Sequence, residues 1–202
     1  MPTPPALRAL GPAEFLGELD SLLAIYADAM SAAHELLPGR RELMRRHAGH
    51  PAFRALAASA EPAGPLIGFT YGFHGAAGQW WYDAVQAALT AAAGPAAASP
   101  WLADCLEIAE LHVQRRHQRR GLGRRMLLAV TSGRPERTAL LSTPDRESPA
   151  RRLYRSAGFA DLLTGYSFPG GSPPYAVMGA VLPLGDPAPA TGRPASASPS
   201  IW

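Results

Sequence analysis

Apolar positions recur along the chain with two periods, and these periods separate helices from strands. A spacing of three and four, as in Phe15, Leu19, Leu22 and Tyr26, predicts an amphipathic helix over residues 13–30. Short apolar runs between Gly and Pro predict strands, and the turn-rich link between two of them predicts a hairpin. The strands are expected at residues 7–10, 53–58, 66–73, up to Val113, 137–142, 162–168 and 175–182. The other helices are expected at residues 40–48, within 75–100, after Gly123 and between Ser148 and Gly158.

Length and composition favour a single folded domain. The chain has 202 residues, of which 47% are hydrophobic and 17% are charged, a balance that suits one domain with an ordinary core. We expect this domain to cover residues 1–184. Residues 75–100 are longer than a normal strand connection and are interpreted as an insertion with its own helix. Residues 185–202 are rich in Pro, Ala and Ser and are expected to be disordered.

Residues 106–128 combine a strand, a basic loop and the start of a helix. This stretch contains six arginines, and Gly121 and Gly123 let the backbone turn tightly with several N–H groups pointing the same way. The helix that follows adds the positive end of its dipole. Over residues 115–155 there are twelve arginines and three acidic residues. The loop is therefore predicted to bind an anion such as a phosphate.

A second block, ESPARRLYRSAGF at residues 147–159, has the end signals of a short helix. Ser148 is a suitable N-cap, Pro149 fits the first helical position, and Gly158 lies just past the end. The positions expected in its buried stripe are Ala150, Leu153 and Ala157. Tyr154 lies at the edge of that stripe, so its phenol can reach a neighbouring cleft.

Together the two blocks resemble the GNAT superfamily of N-acetyltransferases. Gln118, Gly121 and Gly123 reproduce a Q-x-x-G-x-G signature directly after a strand, and the second block is similar to the family's helix that carries a Leu-Tyr pair and ends in Gly-Phe. The resemblance spans roughly residues 7–184. It implies an α/β (α+β) fold with a mixed, mostly antiparallel central sheet flanked by helices. The chain departs from the family at Glu147, where asparagine is frequent.

The resemblance also implies a cofactor site. In the family the signature loop wraps the pyrophosphate of acetyl-CoA, and the preceding strand splays from its neighbour and hydrogen-bonds the pantetheine and the acetyl carbonyl. By position, Tyr154 would protonate the departing CoA thiolate, and the backbone N–H of Val113 would polarise the thioester carbonyl. The residues implied in acetyl-CoA binding are Leu111, His112, Val113, Gln118, Arg119, Arg120, Gly121, Leu122, Gly123, Arg124 and Tyr154.

Two glutamates of the strand, Glu107 and Glu110, are candidates for the general base. A buried, unpaired carboxylate is unfavourable enough to suggest a role. The two-residue repeat of a strand predicts that they point to opposite faces, with Glu107 on the side of Leu111 and Val113. The resemblance places Glu107 where some protein-acetylating members carry a strand glutamate, and Glu110 where many small-molecule members carry one. Either glutamate, or a water molecule, is a candidate.

The activity that the resemblance implies is direct transfer of an acetyl group from acetyl-CoA to a primary amine in a ternary complex, without a metal. The acceptor, a small molecule or a protein amine, is not readable from the sequence. A non-catalytic acyl-CoA-binding sensor or scaffold is the alternative. The arginines would also suit nucleic acid, but the glycine spacing and the strand context favour CoA. A homodimer is possible.

The remaining candidate residues have structural interpretations. The one cysteine, Cys105, excludes an internal disulfide, suits a reducing compartment and is predicted to be a buried thiol. No signal peptide and no apolar run of the ~18 residues of a membrane span is found, so we expect a cytoplasmic protein without a membrane partner. His47 and His50 are predicted to be a surface pair rather than a metal site. The Trp-Trp-Tyr run at 80–82 is interpreted as core packing rather than as an acceptor-binding wall.

Overall fold

Seven strands form one sheet in this computed structural model, which describes residues 5–62, 64–170 and 173–185. The strands are β1 (Ala6–Leu10), β2 (Arg54–Ser59), β3 (Leu66–Gly75), β4 (Cys105–Val113), β5 (Thr138–Pro144), β6 (Ala160–Tyr166) and β7 (Tyr175–Val181). Their order is β1-β2-β3-β4-β5-β7-β6, and β4 and β5 are parallel whereas the other described neighbours are antiparallel. The mixed, mostly antiparallel sheet and the β2–β3 hairpin are as the sequence predicts. The expected disordered tail lies outside the described residues from position 186 onward.

Seven α-helices flank the sheet in the described part of the chain. They are α1 (Pro12–Gly17), α2 (Leu19–Met30), α3 (Leu37–His47), α4 (Trp80–Ala93), α5 (Pro95–Leu102), α6 (Leu122–Thr131) and α7 (Pro149–Ser156). The single helix expected over residues 13–30 is broken at Glu18, directly after the weak helix former Gly17. Phe15 in α1 and Leu19 in α2 are both buried, as the predicted apolar face requires. Within the described residues no helix is long and apolar enough to cross a membrane.

The helices divide between the two faces of the sheet. Successive residues of β5 show this division, since Leu140 packs with α4 and α5 whereas Ala139 and Leu141 pack with residues of α7. On β4, Cys105 packs with α4 and α5, and Ala109, on the same side, packs with α1, α2 and α3. One face therefore carries α1 to α5, and the other carries α6 and α7.

The parallel strands β4 and β5 diverge after a short contact. Their pairing consists of Cys105 with Thr138, Leu106 with Ala139 and Glu107 with Leu140. Beyond Glu107 the two strands separate, so the edge of β4 that faces β5 has no strand partner there. The splay that the family resemblance implies is thus present. It leaves a gap between β4 and β5 that connects the two faces of the sheet.

Candidate active site

A cavity of about 1200 Å³ occupies the gap between β4 and β5. On one face of the sheet it is lined by α3 and the start of α4, and on the other by the start of α6 and by α7. We call these two parts the α3–α4 side and the α6–α7 side. A cavity that opens to both faces can hold two different molecules that meet at the strand between them.

The loop before α6 presents backbone N–H groups to the α6–α7 side. Arg119 and Gly121 both have positive φ, of 60° and 78°, and Gly121 caps the helix in the left-handed region that glycine favours. The N–H of Arg125 donates to the Gly121 carbonyl, so the N–H groups of the three preceding residues have no acceptor within the helix. Gln118 ties this loop to the end of β4 through a 2.9 Å bond from Nε2 to the Val113 carbonyl.

The predicted anion loop lines the cavity with most of its residues. Nη1 of Arg124 is buried and has no hydrogen-bond partner in the described chain, although buried polar groups normally have one. Two predicted residues behave differently. Leu122 is 3% exposed and packs in the core against Met126, and Arg120 is exposed and does not line the cavity. The side chain of Leu122 therefore points into the core, and that of Arg120, in the loop before α6, points to solvent.

The end of β4 directs alternate peptide groups into the gap. The N–H of Gln114 donates to the Ile67 carbonyl on β3 at 2.9 Å, and neighbouring residues of a strand point their peptide groups to opposite edges. The N–H of Val113 therefore faces the gap, and that of Leu111 follows by the same alternation. His112 instead places its ring on the α3–α4 side, against Tyr26.

Tyr154 lines the cavity from α7, whose start is as predicted. Ser148 caps the helix by accepting the N–H of Arg151 at 3.1 Å, and Pro149 occupies the first turn. Tyr154 is 7% exposed and packs on Phe159. Burial and the charge of Glu110 raise the pKa of the phenol above its usual range, so it stays protonated. The expected burial of Ala150 is wrong, because that residue is exposed at the cavity.

A β-bulge places Glu107 and Glu110 on the same side of β4. Tyr71 of β3 pairs with Glu110, whereas the next residue, Gly72, pairs with Ile108, so Ala109 is an extra residue. The expectation that Glu107 and Glu110 point to opposite faces is therefore wrong. Both line the cavity. Leu111, expected beside Glu107, also lines it but packs with the clusters under α6 and α7.

The two glutamates differ in their partners. Glu107 is 4% exposed, and its Oε2 atom has no hydrogen-bond partner in the described chain. Burial, together with the charge of Glu110, raises the pKa of Glu107 to about 8. Burial would also raise the pKa of Glu110, but its bond to His112 and its 2.6 Å ion pair with Arg40 outweigh this and hold the pKa below the usual value. Glu107 can therefore exchange a proton near neutral pH, and Glu110 is a fixed negative charge.

The α3–α4 side contains side chains that the sequence did not single out. The Arg40 guanidinium lies 4.6 Å from the centre of the Tyr26 ring while it pairs with Glu110. Arg40 and His47 are seven positions apart on α3, a spacing that puts both on one face. The seven-residue spacing of Arg40 and His47 can be read from the sequence, but it does not reveal which face of α3 packs against the sheet.

Two of the structural interpretations need correction. His47 and His50 are not a surface pair, since both are half-buried and line the cavity, with His47 Nδ1 3.0 Å from the Tyr71 hydroxyl. Burial and the charge of His50 lower the pKa of His47 to about 4, so its ring is neutral. Of the aromatic run, Tyr82 is core, whereas Trp80 is 60% exposed and lines the cavity.

The described residues contain neither a reactive cysteine nor a cluster arranged to hold a metal ion. Cys105 is fully buried, as predicted, and burial raises the pKa of its thiol to about 12, so it is not a nucleophile at neutral pH. Among the residues that the structure describes, no group of three or more His, Cys, Asp or Glu side chains is arranged to hold a metal ion. The three residues predicted to be catalytic, Glu107, Glu110 and Tyr154, all line the cavity.

Comparison with known proteins identifies the family. A model described as the acetyltransferase (GNAT) family matches residues 19–159. A GCN5-like protein acetyltransferase of Mycobacterium tuberculosis is 33% identical over 199 residues, covering 87% of this chain and 97% of that protein. The chain belongs to the GNAT family, and it is an acyltransferase enzyme.

Solved structures share the same fold. Arabidopsis thaliana NAA60 in complex with a bisubstrate analogue has a TM-score of 0.59 at 20% identity, over 90% of this chain and 100% of that one. PaiA N-acetyltransferase from Thermoplasma acidophilum, in complex with coenzyme A, has a TM-score of 0.55 at 12% identity, over 87% of this chain and 99% of that one. GNAT membership supports the use of an acyl-CoA and the transfer of an acetyl group.

Proposed function

We propose that this enzyme transfers an acetyl group from acetyl-CoA to a primary amine by direct attack in a ternary complex. The observation that carries the proposal is the pair formed by Glu107, a buried carboxylate with an unpaired oxygen, and Tyr154, a buried neutral phenol, on one cavity. One can take a proton and the other can give one, which is what amide formation from a thioester requires.

The α6–α7 side fits the cofactor. The free N–H groups at the start of α6 and the buried Nη1 atom of Arg124 would bind the pyrophosphate, with Gln118 and Arg119 beside them. The peptide groups of Leu111 and Val113 would bind the pantetheine and the acetyl carbonyl. PaiA was solved with coenzyme A, in agreement with a CoA site in this fold.

The reaction then follows from the positions of the side chains. The amine enters from the α3–α4 side, and Glu107 accepts its proton, directly or through a water molecule. The Val113 N–H stabilises the negative charge on the thioester oxygen during attack. Tyr154 donates its proton to the sulfur as the carbon–sulfur bond breaks. Because Glu107 must be ionised to act as a base, activity should rise with pH through about 8.

The proposal also concerns the acceptor, the oligomeric state and the cellular compartment. The relative from Mycobacterium tuberculosis carries the name of a protein acetyltransferase, so a protein amine is one acceptor class and a small amine the other. A buried, unpaired carboxylate is unfavourable for a module that only binds, and this favours catalysis over a sensor or scaffold. A homodimer and a cytoplasmic location stay predictions.

The test is calorimetric titration with acetyl-CoA, followed by measurement of acetyl-CoA-dependent thiol release with a panel of amines. Micromolar binding and amine-stimulated release would support an enzyme. Binding without release from any amine or protein extract would favour the sensor. No binding of acetyl-CoA would overturn the proposal.

A further inference from the structure

The charges that line the cavity are unequal in number. Within the described residues, the lining carboxylates are Glu107 and Glu110, and both are buried. Arginine lines the cavity at five positions, and in the part of the chain that the structure describes only Arg40 among them has a carboxylate partner. The five arginines are Arg40, Arg46, Arg119, Arg124 and Arg146. Two of them belong to the anion loop and Arg40 is paired, which leaves Arg46 and Arg146 without a carboxylate partner among the described residues.

Arg46 is distinctive among the arginines of α3. The other three are each paired with a carboxylate: Arg40 with Glu110, Arg41 with Asp20, and Arg45 with Glu42. Arg46 has no ion pair in the part of the chain that the structure describes, and it lies at the cavity next to His50. Burial and the charge of Arg46 lower the pKa of His50, which reflects how close the guanidinium is.

The opposite wall of the α3–α4 side is aromatic. Trp80 lies 5.5 Å from Phe168, centre to centre, and remains 60% exposed. Trp81 donates from Nε1 to Ser142 Oγ at 3.1 Å, which fixes the start of α4 at the end of β5. Phe73 packs under His50 at 4.6 Å. A molecule between α3 and α4 would therefore meet apolar rings, a free guanidinium and, deeper, Glu107.

We propose that the α3–α4 side is a subsite for a primary amine that also carries a carboxylate or similar anion, with Arg46 as the specificity-determining residue. This inference rests on the proposed acetyl transfer. The amine would reach Glu107, the apolar body would lie along Trp80, and the anion would pair with Arg46. A polyamine would instead place a second ammonium beside an unpaired guanidinium, and the described residues that line the cavity include no exposed carboxylate to receive it.

A primary amine and a carboxylate occur together in a free amino acid and in a peptide with an acidic residue near its N-terminus. Three amines with one aromatic body separate charge from shape: phenylalanine, phenylalaninamide and 2-phenylethylamine. Phe-Asp amide and Phe-Asn amide repeat the comparison in a peptide, and spermidine represents the polycations. Binding of each is measured by calorimetry to the enzyme saturated with CoA, so that the result does not depend on turnover.

The expected result is that the carboxylate member of at least one pair binds about tenfold more tightly than its uncharged partner, as for one charge-assisted hydrogen bond. Arg46→Gln should abolish that preference and leave acetyl-CoA affinity unchanged. Arg45→Gln, on the same helix but off the cavity, should retain it. The pair that shows the preference, amino acid or peptide, identifies the source of the anion.

Two outcomes would overturn the subsite. One is equal or tighter binding of the uncharged amines or of spermidine, and the other is a preference that survives Arg46→Gln. Both leave acetyl transfer intact, because the wild type would still bind acetyl-CoA. Failure of the wild type to bind acetyl-CoA would overturn the proposed function itself.

Discussion

The α6–α7 side and the α3–α4 side of the cavity are built from different parts of the chain. The α6–α7 side presents mostly backbone: the helix start at Gly121 and the peptide groups of Leu111 and Val113. The α3–α4 side presents side chains from three separate elements, such as Arg40, Glu107 and Trp80. A site built from backbone needs a particular turn, whereas a site built from side chains needs tertiary packing to bring them together.

The difference has consequences for charge. Backbone N–H groups carry no proton that titrates, so the α6–α7 side should bind an anion over a wide range of pH. On the α3–α4 side, one carboxylate is paired and the other is not, and this sets the pKa of Glu107 far from that of Glu110. Binding and chemistry can therefore be disrupted separately, and the predictions below use that separation.

The largest effect of a substitution is expected on the α6–α7 side, which is built mostly from backbone groups. Gly121→Asp forces a side chain into a backbone with φ of 78° and places a negative charge at the start of α6. We expect acetyl-CoA affinity to fall about a thousandfold, since strain and the loss of charge-assisted bonds combine. Calorimetry measures the loss.

A matched control separates the anion site from general strain. Gly133→Asp introduces the same residue at a glycine with φ of 62° that has open space around it and does not line the cavity. It should keep normal affinity for acetyl-CoA. Comparable losses in both variants would mean that folding, and not the loop, was affected.

The second effect concerns the base. Glu107→Gln keeps the shape of the side chain but cannot accept a proton, so we expect kcat/KM for the amine to fall about a hundredfold while acetyl-CoA still binds. The rise of activity through about pH 8 should disappear. A steady-state pH profile of both proteins tests this, and an unchanged profile in the variant would assign the base elsewhere.

The same substitution has a signed effect on stability. The folded state holds the Glu107 proton up to about pH 8, whereas the unfolded chain releases it near the ordinary glutamate pKa of 4.5. Stability of the wild type therefore falls as pH rises between these values. Glu107→Gln removes that fall, so its free energy of unfolding should exceed that of the wild type increasingly toward pH 8. Urea titrations at pH 5 and pH 8 provide the comparison.

The third effect is at the leaving group. Tyr154→Phe removes the proton donor but keeps the ring that packs on Phe159. We expect kcat to fall about tenfold, at the lower end for general acid catalysis, because water can substitute for the phenol. Acetyl-CoA affinity should be nearly unchanged. Full turnover in this variant would exclude Tyr154 as the acid.

The sequence allowed more to be predicted on one side of the cavity than on the other, and the reason is physical. The start of α6 and the cap of α7 depend on neighbours within a few residues, such as Ser148 with Arg151. The common face of Glu107 and Glu110 depends on a bulge opposite β3, which strand alternation does not contain. The place of His47 and Trp80 at the cavity depends on how α3 and α4 dock, and that is decided by distant residues.

The close approach of β3 and β4 near the bulge illustrates the same limit. A Cβ at Gly72 would lie 2.5 Å from the Glu107 carbonyl oxygen, so this position accepts glycine and little else. In the sequence Gly72 is one glycine among 20. Its role emerges only when the partner strand is known.

The smallest effect tests the coupling between the two carboxylates. Glu110→Gln removes the negative charge that, after burial, contributes most to the raised pKa of Glu107. The ascending limb of the pH profile should therefore move from about pH 8 to lower pH, with the maximal rate reduced much less than in Glu107→Gln. Arg40 is partly exposed and can be solvated after losing its partner. An alkaline shift would mean that Glu110 acts mainly by orienting Arg40 and His112. The direction of the shift therefore distinguishes an electrostatic effect of Glu110 on Glu107 from a positioning role.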